Sequence, residues 1–140
     1  MVRDCLRNTG KSQGGPKGSI GNLVYRASLA LNLMHHQYTG KSDLFVLGGQ
    51  GRLLVERTLG VFLHGQDLGG REFSIEKKIK MMEGQNLACK EMVAACHKVR
   101  WYGNRTDPDE TDDLTPEDKP DVIKNAFIVA QALLLKVRKV

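Results

Sequence analysis

A chain of 140 residues has room for one domain of usual size, and with 41% hydrophobic and 26% charged residues it has the make-up of a globular protein. Those proportions exclude wholesale disorder, a collagen-like repeat and a disulfide-stapled miniprotein. The net charge of +5 is uneven: residues 107–121 hold eight acids and one base, a net of −7, which leaves +12 on the rest.

Residues 1–19 carry Arg3, Arg7, Lys11 and Lys17 among four glycines, with almost nothing to bury, and are expected to form a flexible basic arm. The remainder, 20–140, is expected to be a single helical domain. Ile20, Val24, Ala27, Leu31, Met34 and Tyr38 recur at steps of four and three, which predicts a helix capped by Ser19 and stopped by Gly40. Leu23, Leu29, Ala30 and Leu33 broaden the stripe and predict a helix enclosed on more than one side.

Residues 43–47 are a short apolar run, for which periodicity leaves strand, short helix and loop open. Gly48-Gly49-Gln50-Gly51 then reads as a tight turn between packed elements. Val55, Leu59 and Phe62, with Leu54 and Val61 beside them, predict a short helix over 52–63. The glycines of 65–70 predict a loop. Next, Ile75, Ile79, Met82, Asn86, Cys89, Val93 and Cys96 follow a heptad-like seam, predicting one long helix from a Ser74 cap to a stop at Gly103. Asn86 is the polar residue on that seam, of the kind that sets register or partner.

Residues 103–120, bearing three prolines, are expected to be an acidic linker, with Thr115-Pro116-Glu117-Asp118 capping a last helix over 121–138. That helix has two neighbouring apolar stripes: Val122, Ala126, Val129 and Leu133, and Ile123, Phe127, Ala130, Leu134 and Val137. Lys136, Arg138 and Lys139 suit its negative end. The expected architecture is mainly α, a compact bundle-like domain of about four helices with a basic N-terminal arm.

No motif specifies a reaction. Two Gly-Lys-Ser triplets, at 10–12 and 40–42, have Cys5 and His35 where a phosphate loop requires its first glycine. Leu54 occupies the third-glycine position of a dinucleotide fingerprint begun at Gly49 and Gly51. The candidate metal ligands, Cys5, His35, His36, His64, Cys89, Cys96 and His97, show none of the close pairing of a structural zinc site. A calcium loop starting at Asp107 has Asp112 for the required glycine and Asp118 for the bidentate glutamate. Cys96 and His97 are adjacent on a helix, so their side chains diverge by about 100° and cannot act as a catalytic pair. A helix-turn-helix about Leu59-Gly60-Val61 fails on the glycines of its would-be recognition helix. No metal, no cofactor and no enzymatic activity are expected.

Charge remains. Lys77, Lys78 and Lys80 lie on the outer side of the long helix, and Lys90, Lys98, Arg100 and Arg105 extend positive charge along it. Trp101 and Tyr102 are there to stack on bases. With Arg3, Arg7, Lys11 and Lys17 of the arm, this set predicts phosphate contacts to RNA or DNA without base reading. The expected role is a nucleic-acid-associated coat, packaging or ribonucleoprotein component. The competing expectation is a structural subunit of a larger assembly with no nucleic-acid role. Ile123, Phe127 and Leu134, on the doubly apolar last helix, are expected at an interface in a homo-oligomer or with an assembly partner.

The N-terminus lacks the apolar core of a secretory signal, and the longest uncharged apolar stretch, 125–135, falls short of the roughly 20 residues of a membrane span. Cys89 and Cys96 lie two turns apart along the expected helix, too far for a disulfide. These features together predict an intracellular, membrane-free protein with reduced thiols.

Overall fold

Ser19 starts the first helix as the spacing requires, its hydroxyl oxygen accepting from the backbone N–H of Asn22 at 3.2 Å. The computed structural model describes residues 19–39, 44–66, 73–104 and 119–138. Among these are five helices and no strand: α1 Ile20–Thr39, α2 Leu44–Phe62, α3 Ile75–Gly84, α4 Lys90–Asn104 and α5 Lys119–Arg138. Several expectations lie outside the described residues: the arm with Arg3, Arg7, Lys11 and Lys17, both Gly-Lys-Ser triplets, most of the 65–70 loop, and the acidic segment with its proposed cap at 115–118.

The centre of the fold is α2, which packs against each of the other four helices. Leu54, Val55 and Leu59 on it are fully buried. This overturns the expectation of a tight turn at 48–51, since all four residues are helical and α2 begins eight residues before position 52. The glycines permit close crossings. A Cβ on Gly51 would stand 2.9 Å from Val99 Cγ1 of α4 and 3.2 Å from Met34 Cε of α1. Gly103, expected to stop a helix, lies one residue before the end of α4 and is buried there, and a Cβ on it would meet the Gly48 carbonyl oxygen and Arg52 Cβ, each at 3.0 Å. Packing from both sides outweighs the cost of about 1 kcal/mol per glycine in a helix.

The expected long helix is also two. Asn86 adopts φ 55 and is exposed. Its N–H donates to the Glu83 carbonyl and that of Leu87 to the Met82 carbonyl, both at 3.0 Å, which is the Schellman ending of a helix. Asparagine tolerates this left-handed geometry, so the residue read as a register signal is a stop signal. Consequently the seam does not continue: Ile79 and Met82 are buried, Cys89 is exposed, and burial resumes at Val93 and Cys96 on α4. Ser74 does cap α3, accepting from the Lys77 N–H at 3.1 Å.

Both apolar stripes of α5 turn inward: Val122, Ala126, Val129, Leu133, Ile123, Ala130 and Leu134 are buried, with Phe127 and Val137 packed at the edge. By contrast, α1 is less enclosed than its broad stripe predicts, because Leu29 and Leu33 are exposed. No helix among the described residues is long and apolar enough to cross a membrane.

Candidate nucleic-acid interface

The first basic group is built on α3. Lys77 and Lys80 are exposed and Lys78 half-buried. The Lys77 ammonium lies 4.4 Å from the centre of the Phe73 ring, a cation–π contact that holds it at the start of the helix. Glu76, one residue earlier, ties α3 to α4: its two oxygens stand 3.6 Å from Lys80 Nζ and 3.6 Å from Arg100 Nη2. Lys80 and Arg100 are therefore brought together, but around a shared carboxylate that offsets part of their charge. Among the described residues, Arg100 Nε is buried without a hydrogen-bond acceptor.

The second group lies on the outer face of α4. His97 and Trp101 are one turn apart, as are Lys98 and Tyr102, so all four reach one side of the helix. They line a cleft of about 360 Å³. Trp101 is 44% exposed and meets Tyr102 edge to face, with ring centres 5.0 Å apart. Arg100, the residue before Trp101, points about 100° around the helix from it, toward Glu76 of α3.

The floor of this region is polar and tied down. Tyr102 Oη donates to Asp121 Oδ2 at 2.5 Å, and Lys98 Nζ lies 3.7 Å from the same oxygen. Asn125 Nδ2 donates to the Asp121 backbone carbonyl at 2.8 Å and to its Oδ1 at 3.3 Å. The hydrogen bond from Tyr102 holds the Asp121 carboxyl below its ordinary range, aided by Lys98 and Lys124 and opposed by partial burial. Such a site can present one cation and one indole face side by side, the combination that takes a phosphate and an adjacent base.

Of the expected contacts, Lys77, Lys78, Lys80, Lys98, Arg100 and Trp101 fall on these two groups. Tyr102, expected to stack on bases beside Trp101, is instead buried, with its hydroxyl on Asp121. His97 and Asp121 were not among the expected nucleic-acid contacts; helical spacing applied to polar residues would have found His97, while Asp121 depends on how α5 docks. The interface residues expected on α5 are differently placed: Ile123 and Leu134 lie in the chain's own core and Phe127 is half-buried. The apolar side chain that α5 does show is Leu135, 58% exposed beside a cleft of about 310 Å³ walled by Phe62, Leu87 and Met92.

Cys96 is buried, 3.6 Å from Met92 Sδ, and burial pushes its thiol up to about 12. Among the described residues no three His, Cys, Asp or Glu side chains gather as metal ligands would. Set against protein-family models, curated proteins and solved structures, the chain matches none.

Proposed function

We propose that this chain is a non-enzymatic protein that binds single-stranded nucleic acid without reading its sequence, as a coat, packaging or ribonucleoprotein component would. The observation that carries this reading is the sharing of one cleft by Lys98 and the exposed indole of Trp101. The ammonium takes a phosphate and the indole stacks on a base, which in a duplex would already be stacked on its neighbours. Lys77, Lys80 and Arg100 extend the phosphate track, and the arm's Arg3, Arg7, Lys11 and Lys17 add to it.

Trp101 is the chain's one tryptophan, so intrinsic fluorescence reports on the site directly. Titration with an oligothymidine strand is expected to quench it. Stacking is worth about 1–3 kcal/mol per base, so Trp101→Ala should weaken binding about tenfold. Lys98→Ala should lower the salt slope by about 0.7, one phosphate contact on a single strand. Unquenched fluorescence, or wild-type affinity in Trp101→Ala, would refute the reading.

A second reading, a subunit that docks within a larger assembly, is favoured by Leu135, which stands in solvent beside the Phe62–Met92 cleft. Light scattering of the wild type and of Leu135→Glu separates the two: loss of an oligomer in the variant would favour the assembly reading.

A further inference from the structure

Three of the exposed large apolar side chains share one face on the opposite helix pair. Leu29 and Leu33 lie one turn apart on α1, 39% and 44% exposed, and Leu53 stands on α2, 36% exposed. The two helices run antiparallel, for Leu23 lies against Gly60 while Met34 lies against Gly51. Between them is a cleft of about 150 Å³, its walls including Leu29, Ala30, Gln50 and Leu53. A groove between two antiparallel helices is the seat of a third, whose side chains fill it at one-turn intervals.

The rim of this groove is cationic. Arg26 and Arg57 line it. The side chain of Arg57 is only 18% exposed, and its ion pair among the described residues is with the adjacent Glu56, at a loose 3.7 Å. A guanidinium so enclosed gains most from a carboxylate that meets its fork directly.

We infer that this face binds an acidic amphipathic helix of a partner protein, with leucine-like side chains in the Leu29–Leu33–Leu53 groove and carboxylates on Arg26 and Arg57. A second copy of the chain fits poorly, because two-fold pairing sets the same arginines against each other. A bilayer presents no projecting side chains to fill a cleft between helices. The chain's own basic arm carries the same sign of charge as the rim.

The test uses the full chain and a fluorescein-labelled synthetic peptide, with leucines one turn apart and glutamates between, followed by anisotropy. The acidic peptide is expected to bind. Combining Arg26→Glu with Arg57→Glu should weaken it about tenfold, and Leu53→Ser alone should do the same. A lysine-for-glutamate peptide should bind the doubly reversed variant better than the wild type. All three positions border solvent, and circular dichroism of each variant checks that the helices are intact. Four results would overturn the inference: no binding; equal binding by the variants; binding only after the acids of 107–121 are neutralised; or a dimer that Leu53→Ser dissolves. Loss of oligothymidine binding in the doubly reversed variant would also overturn it, assigning the arginines to nucleic acid.

Discussion

Tyr102 and Asp121 are joined by a 2.5 Å hydrogen bond from phenol to carboxylate, across the interface of α4 and α5. The bond links the last turn of one helix to the first turn of the next. Lys98 shares the same carboxylate, so the outer face of α4 is oriented by α5.

Removing the phenolic hydroxyl with Tyr102→Phe is expected to cost about 1–2 kcal/mol, read by urea denaturation, since the acceptor is charged and the ring buried. The same pair has a pH signature. Asp121 titrates lower in the folded chain than in the unfolded one. Its contribution is therefore complete above the ordinary value of 3.8 and is lost as the pH falls below it. Urea midpoints taken from neutral pH into that acid range should fall less steeply in Asp121→Asn than in the wild type. Parallel slopes would show that the carboxylate contributes nothing of the kind.

At Asn86 the left-handed φ of 55 sets opposite signs for two substitutions. Asn86→Gly should stabilise the fold by a few tenths of a kcal/mol to about 1 kcal/mol. Asn86→Val should cost about 1–2 kcal/mol, because a β-branched side chain tolerates that conformation worst. A continuous heptad seam would reverse the order, with valine favoured and glycine harmful, so thermal melts of the two variants decide between them.

Two helical glycines should respond in opposite directions to alanine. Among the described residues nothing lies within 4 Å of a Cβ placed on Gly49, so Gly49→Ala should gain up to about 1 kcal/mol from helix propensity alone. On Gly103 the added carbon meets backbone oxygen and Arg52 Cβ at 3.0 Å. There overpacking of about 1–3 kcal/mol should exceed the same gain and leave a net loss. Denaturant midpoints of the two variants on either side of the wild type are the expected result.

The thiols of Cys89 and Cys96 should differ sharply in reactivity. Cys89 is exposed, while Cys96 is buried and its thiol pushed up to about 12, which leaves almost no thiolate at neutral pH. Brief alkylation mapped by mass spectrometry is expected to label Cys89 in the native protein and Cys96 only after denaturation. Equal labelling would mean that α4 opens on the timescale of the reagent.

Local signals in the chain were legible where one residue acts on its own backbone. Ser19 and Ser74 announce helix starts, and the doubled stripe on α5 announces a helix with much to bury. What escaped depended on neighbours distant in sequence. The glycines of 48–51 look like a turn until α1 and α4 are known to press on Gly51 from two sides. The Gly84-Gln85-Asn86 stretch carried its own stop signal, but an alternation of fours and threes ran across it and outweighed it in the reading. For the candidate site, the lysines and Trp101 were visible as composition. The cleft that Lys98 and Trp101 share with His97, and the anchoring of Tyr102 by Asp121, require the helices to be placed.

Because α2 borders all four other helices, its buried side chains are shared among them, and residues such as Arg52 and Leu53 form its solvent side. Stripping away any one helix uncovers apolar surface on this shared member, and its weakening is then felt by the other three. A cut between any two of the described helices would consequently leave neither fragment with a complete interior. The five stand as a set, and α2 is the piece that makes them inseparable.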